Sequence, residues 1–197
     1  MEQNKSLRIL GSQFRLVMES IFLQIARDAV EDAERNEVEL KTTDSYSAEF
    51  QMQRRAIAAI VILVQALEGF INVQASKRLS LAIAESVDRL SVISKWLVVT
   101  KTVTGTEWDK GRQPFQDFES LVRTRNALVH YKPKFTEVKH PVDVYFHTEF
   151  TGTLARRYFD ASCEMIKGFY TKAGEQVPDE VKPTTTTLAE EVVEIDI

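Results

Sequence analysis

Between Ala56 and Leu67 every residue except Gln65 is apolar. A helix that is hydrophobic around its whole circumference has no face to give to water, so it must be enclosed by other helices. This stretch therefore commits the chain to a bundle with one helix at its centre. The surrounding apolar run, Ala56 to Ile71, contains Gln65 and Glu68. At roughly sixteen residues it falls short of the ~20 that a bilayer span requires, which predicts a buried core helix in a soluble protein.

Apolar residues recur at three- and four-residue spacing on both sides of this segment, the period of an amphipathic helix. A first helix is expected from about Ser6 to Asn36, with Leu10, Phe14, Val17, Ile21 and Ile25 on its inner face. The central helix is expected from about Ala48 to Leu79. A third, from about Leu81 to Thr102, has Ile83, Val87, Leu90 and Leu97 on one side. Thr104-Gly105-Thr106 and Lys110-Gly111 mark a connection. A fourth helix opens near Pro114, which is tolerated in a first turn, and stops before Pro133. A fifth covers about Thr151 to Ala173, with Leu154, Tyr158, Met165 and Phe169 along one stripe. Between the last two, Val142, Val144 and Phe146 alternate in a way that predicts an extended excursion over 136–150. After Gly174 the period ends in an acidic segment with four consecutive threonines, a composition that predicts disorder. The expected architecture is all-α: an up-and-down bundle of four to five helices over residues 1–174, followed by a disordered tail over 175–197.

Charge and cysteine usage narrow the setting. The net charge is -4, but residues 175–197 hold seven acids against Lys182, which leaves residues 1–174 mildly positive. Seven Arg or Lys against four Asp or Glu lie between Leu121 and Asp160. Such a region admits an RNA substrate without forming the basic stripe of a tight nucleic-acid binder. Cys163 is the sole cysteine; no disulfide framework is available, and a cytoplasmic location is expected. Its apolar helical setting predicts a small core residue. Trp96 and Trp108 read as core or interface anchors.

Polar chemistry concentrates near the end of the fourth helix, in Leu121-Val122-Arg123-Thr124-Arg125-Asn126-Ala127-Leu128-Val129-His130-Tyr131-Lys132-Pro133. On a helical wheel the apolar arc centres on Phe118, with Leu121, Val122, Leu128 and Val129 inside it. Arg125 falls only about 20° from that centre. A guanidinium aimed at a core needs an anion or a ligand. Asn126 and His130 share the edge of the arc, and imidazole is the side chain that exchanges protons near neutral pH. Arg125 and His130 stand about 140° apart on the wheel, which favours a site shared between two chains over one within a single chain. On the central helix Gln65, Glu68, Asn72 and Ser76 form one polar stripe. It requires polar partners, and Arg125, Asn126 and His130 are available. Glu68 either orients Arg125 or His130 at the edge of a site, or simply pairs with Arg125 as a structural counter-ion.

Arg125-Asn126-x-x-x-His130 late in a helical bundle resembles the R-x4-6-H motif of the HEPN superfamily, in which Asn commonly follows the Arg. Glu68-Gly69-Phe70-Ile71-Asn72 on the earlier helix is similar to many small HEPN proteins, and the likeness of layout covers roughly residues 6–173. The resemblance implies a metal-independent endoribonuclease of a defence or toxin–antitoxin setting that acts as a homodimer on RNA. It also admits an antitoxin or other regulatory protein as a partner. It implies catalytic roles for Arg125, Asn126 and His130, with Glu68, Asn72, Tyr131 and Lys132 contacting substrate. The other function the resemblance admits is a non-catalytic RNA-binding or protein-interaction module. One toxin subgroup carries a modified Tyr two residues after the His; here Tyr131 follows His130 directly and Lys132 takes that place. No cofactor is expected. His140 and His147, seven apart with no third ligand, do not compose a metal site. Glycine-rich phosphate loops, G-x-S-x-G and H-E-x-x-H are absent from the sequence.

Overall fold

The computed structural model describes residues 3–43, 45–130 and 150–178, with side chains from residue 21 onward. The described residues form six helices and no strand: α1 (Gln3–Leu40), α2 (Tyr46–Arg78), α3 (Leu81–Asp88), α4 (Val92–Thr104), α5 (Phe115–Val129) and α6 (Gly152–Lys172). The described residues are all-helical, as their periodicity requires.

Helix α2 is the hub and touches each of the other five. Its start is fixed by Ser45, whose hydroxyl accepts the Ala48 N–H at 3.2 Å, and its last turn holds Lys77 and Arg78, which suit the negative end of the helix. Ala56, Ala59, Ile60, Leu63, Val64, Leu67 and Ile71 are buried along it. By length and composition α2 meets the requirement for a membrane span, yet 56% of its most apolar window is covered by the rest of the fold. That coverage fits a helix at the core of the bundle.

Two inner faces differ from expectation. Among the described side chains of α1, Leu23, Ala26, Ala29, Val30 and Ala33 are buried whereas Ile21 and Ile25 are exposed; Leu10, Phe14 and Val17 lie outside the described side chains. The alanines let α1 lie close along α2, so small residues rather than the larger isoleucines define the packed side. The third expected helix is two. Helix α3 ends at Asp88 and α4 begins after Ser91, whose hydroxyl accepts the Ser94 N–H at 3.2 Å. An N-cap inside an apolar period restarts the helix in a new direction. Val87 is then buried while Ile83 and Leu90 are exposed. Gly105, at φ 73°, ends α4 in the left-handed conformation open to glycine.

The core beneath α5 is aromatic. Trp96 stacks on Phe70 with centroids 5.5 Å apart and meets Trp108, Phe118 and Phe169 edge-on or tilted. Its indole N–H donates to the Leu67 carbonyl at 3.2 Å, and that of Trp108 donates to the Thr100 hydroxyl at 3.0 Å. Both tryptophans are core anchors. Folded structure continues past Gly174: Glu175 pairs with Arg78, and Val177 lies against the core. The extended excursion expected over 136–150 falls outside the described residues apart from Phe150, as does the tail beyond residue 178.

Candidate functional site: a cation pair around Glu68

Helix α5 enters after Pro114, buries Phe115, Phe118, Leu121 and Val122, and ends at Val129 with His130 as its C-cap. The His130 N–H donates to the Asn126 carbonyl at 3.0 Å. Two further contacts fix the helix against α6: the Tyr158 hydroxyl lies 2.9 Å from that of Ser120 and 3.0 Å from that of Thr124, and Arg157 pairs with Asp117.

Arg125 points inward, as its position on the wheel predicts: its side chain is only 16% exposed. It reaches toward Glu68 on α2, with Nη2 3.9 Å from Oε2. That is close enough for charge attraction and too long for a hydrogen bond. The Arg125 Nε is buried and has no hydrogen-bond partner. The principal partner of Glu68 is instead Lys95 on α4, whose Nζ donates to Oε1 at 2.8 Å. Lys95 is more deeply enclosed than Arg125, with a side chain 3% exposed, and it also reaches Asp88 at 3.5 Å. Three helices thus bring two cations to one carboxylate.

The remaining expected residues divide. Asn126, the residue after Arg125, and His130, about a turn further on, lie on solvent rather than in the core, and so does Val129. Asn72 is half-buried on the Glu68 side of α2, while Gln65 and Ser76, at the ends of the polar stripe, face water. The stripe is therefore satisfied partly by solvent and partly by Lys95, and of the three α5 residues proposed as its partners only Arg125 comes near it. Tyr131 and Lys132 lie outside the described residues, as do His140 and His147.

Lys95 is the functional side chain that the sequence reading missed. Its signal was present: it sits three residues after Val92 and four before Val99, both buried, and so on the inward face of α4. A lysine at such a position needs an anion, and Glu68 was the acid in need of a partner. Among the described residues no group of three or more His, Cys, Asp or Glu side chains is arranged to hold a metal. No family model, no curated protein and no solved structure matches the chain.

Proposed function

We propose that the chain is a HEPN-like, metal-independent endoribonuclease, cytoplasmic and homodimeric, with Arg125, Asn126 and His130 in its active site. One observation carries the reading: Arg125 is an inward-facing side chain whose buried Nε has no hydrogen-bond partner, next to a solvent-facing Asn126 and little more than a turn before a solvent-facing His130. A guanidinium held this way is a receptor for an oxyanion. In this reaction Arg125 binds the scissile phosphate and offsets the charge that grows on the pentacovalent transition state. His130 takes the proton from the ribose 2′-hydroxyl or gives one to the departing 5′-oxygen. Asn126 orients the imidazole or the phosphate. The products are a 2′,3′-cyclic phosphate and a 5′-hydroxyl. Because Arg125 turns toward α2 of its own chain while His130 faces solvent, a second motif helix brought up by a two-fold axis would complete the cleft on the solvent side.

A second reading is a non-catalytic module that binds RNA or protein, favoured by the neutralising presence of Glu68 close to both cations. The two part in one assay. Purified protein is incubated with single-stranded and structured RNAs in EDTA, beside His130→Ala and Arg125→Ala. Loss of a general acid–base costs about 10²–10⁴-fold, so His130→Ala should lower the cleavage rate at least ~100-fold. Wild type that cleaves no RNA faster than either variant sinks the enzyme reading and leaves the binding module.

A further inference from the structure

Glu68 lies between two cations and hydrogen-bonds only one of them. Its Oε1 takes a hydrogen bond from Lys95 at 2.8 Å, while its Oε2 stays 3.9 Å from Arg125. A partly buried Arg and an adjacent carboxylate frequently close into a bidentate fork with both oxygens in hydrogen-bonding range. Among the described residues Arg78 grips Glu175 this way at 2.6 and 2.6 Å and Arg156 grips Glu34 at 2.9 and 2.6 Å, while the more exposed Arg112–Asp109 and Arg123–Glu119 pairs make single contacts. At Arg125 the fork does not form, although the acid is adjacent. At this site the other carboxylate oxygen is held by Lys95, the more buried of the two cations and the one for which isolation would cost more.

We propose that Lys95 is a positioning residue: it holds the Glu68 carboxylate to itself and so keeps the Arg125 guanidinium open to an incoming phosphate group. The inference rests on the functional reading above for its substrate class, a phosphodiester, but the charge arrangement stands without it. Helix α4 fixes Lys95 through the Ser91 cap one turn earlier, and Asp88 at the end of α3 steadies the ammonium from its other side. Lys95 does not touch the reacting atoms. Without it, Glu68 has one near cation left, and the carboxylate closes on Arg125 as an internal competitor of the phosphate.

The test uses the full chain and reads the Arg125 side-chain N–H resonance by NMR during titration with inorganic phosphate. Wild type should shift with phosphate. Lys95→Met should bind it about tenfold more weakly, the scale of one charge-assisted hydrogen bond turned against the ligand. Lys95→Met combined with Glu68→Gln should return to within about twofold of wild type, because the competing carboxylate is gone. A merely structural lysine would not be rescued by deleting its partner. On a cleavable RNA, Lys95→Met should raise KM about tenfold with little change in kcat. Equal phosphate affinity of Lys95→Met and wild type overturns the proposal, as does a double variant no better than Lys95→Met. Should Lys95→Met fail to fold, Glu68→Gln alone decides. Phosphate affinity equal to or tighter than wild type supports the proposal, and weaker affinity means that Glu68 orients Arg125 and overturns it. A wild type that cleaves no RNA but shows the expected phosphate series loses the ribonuclease reading and keeps the role of Lys95. Cleavage with a flat phosphate series does the reverse.

Discussion

Cys163 shows how far burial alone sets the chemistry of a residue. It lies on the inner side of α6, and desolvation pushes its thiol up to about 11 from an ordinary 9.0, with Arg27 pulling weakly the other way. The thiolate is the reactive species, so at pH 8 the native protein holds about 100-fold less of it than an unfolded chain. Alkylation by iodoacetamide at pH 8 should therefore be at least ~100-fold slower in the native protein than in denaturant. A native rate within tenfold of the denatured one would mean that α6 leaves the thiol open. The core role of Cys163 was legible from its apolar neighbours, and so was the inward aim of Arg125 from its seven-residue spacing after Phe118. The partner of Glu68 was not. Spacing within a helix says which way a side chain points, whereas the approach of Lys95 depends on how α4 crosses α2, which no local period encodes.

At the scale of elements, the central helix and the two that follow Pro114 and Thr151 were readable because caps and breakers coincide with the ends of the apolar period. The inner side of α1 was not. Period alone favoured the large Ile21 and Ile25, while the packed side is set by Ala26, Ala29 and Ala33, whose smallness admits a neighbouring backbone. Gly152 at the start of α6 makes the same point at its limit. A Cβ there would stand 2.6 Å from the Glu34 backbone nitrogen and 2.7 Å from its Cα. No side chain can swing aside, so α1 and α6 would have to part. The move would strain the Arg156–Glu34 fork and the contacts of Thr153 with Glu37, whose carboxylate accepts the Thr153 N–H at 2.6 Å. Gly152→Ala should cost about 1–3 kcal/mol through overpacking, only partly offset by the better helix propensity of alanine. Denaturant unfolding measures it. A midpoint equal to or above that of wild type would show that the α1–α6 seam yields freely.

At the scale of the whole fold, ion pairs join distant segments alongside apolar packing, and the pair at the C-terminal end of α2 gives a defined response to acid. Arg78, at the end of α2, lies over the Phe169 ring with its guanidinium carbon 5.7 Å from the centroid, donates its Nε–H to the Gln74 side-chain oxygen at 2.9 Å, and forks onto Glu175 just beyond α6. The paired guanidinium holds the Glu175 carboxyl below its ordinary 4.5. A carboxyl lowered in the folded state adds stability that is complete above its ordinary value and is lost as the pH falls through the lowered one. Glu175 is 41% exposed, so solvent screening keeps the gain small. Glu175→Gln should therefore lower Tm by a few degrees at pH 7. The gap from wild type should begin to close below about pH 4.5 and disappear in stronger acid, where both proteins carry a neutral side chain at this position. Arg78→Met should lose the same pH-dependent part and, in addition, a part that persists in acid, because the guanidinium also covers Phe169. Thermal unfolding of the three proteins from pH 3 to pH 7 separates the charge contribution from the packing contribution. A Glu175→Gln gap that stays constant across this range would mean that the fork carries no net charge stabilisation, and the C-terminal end of the bundle would then be held by Phe169 and Val177 alone.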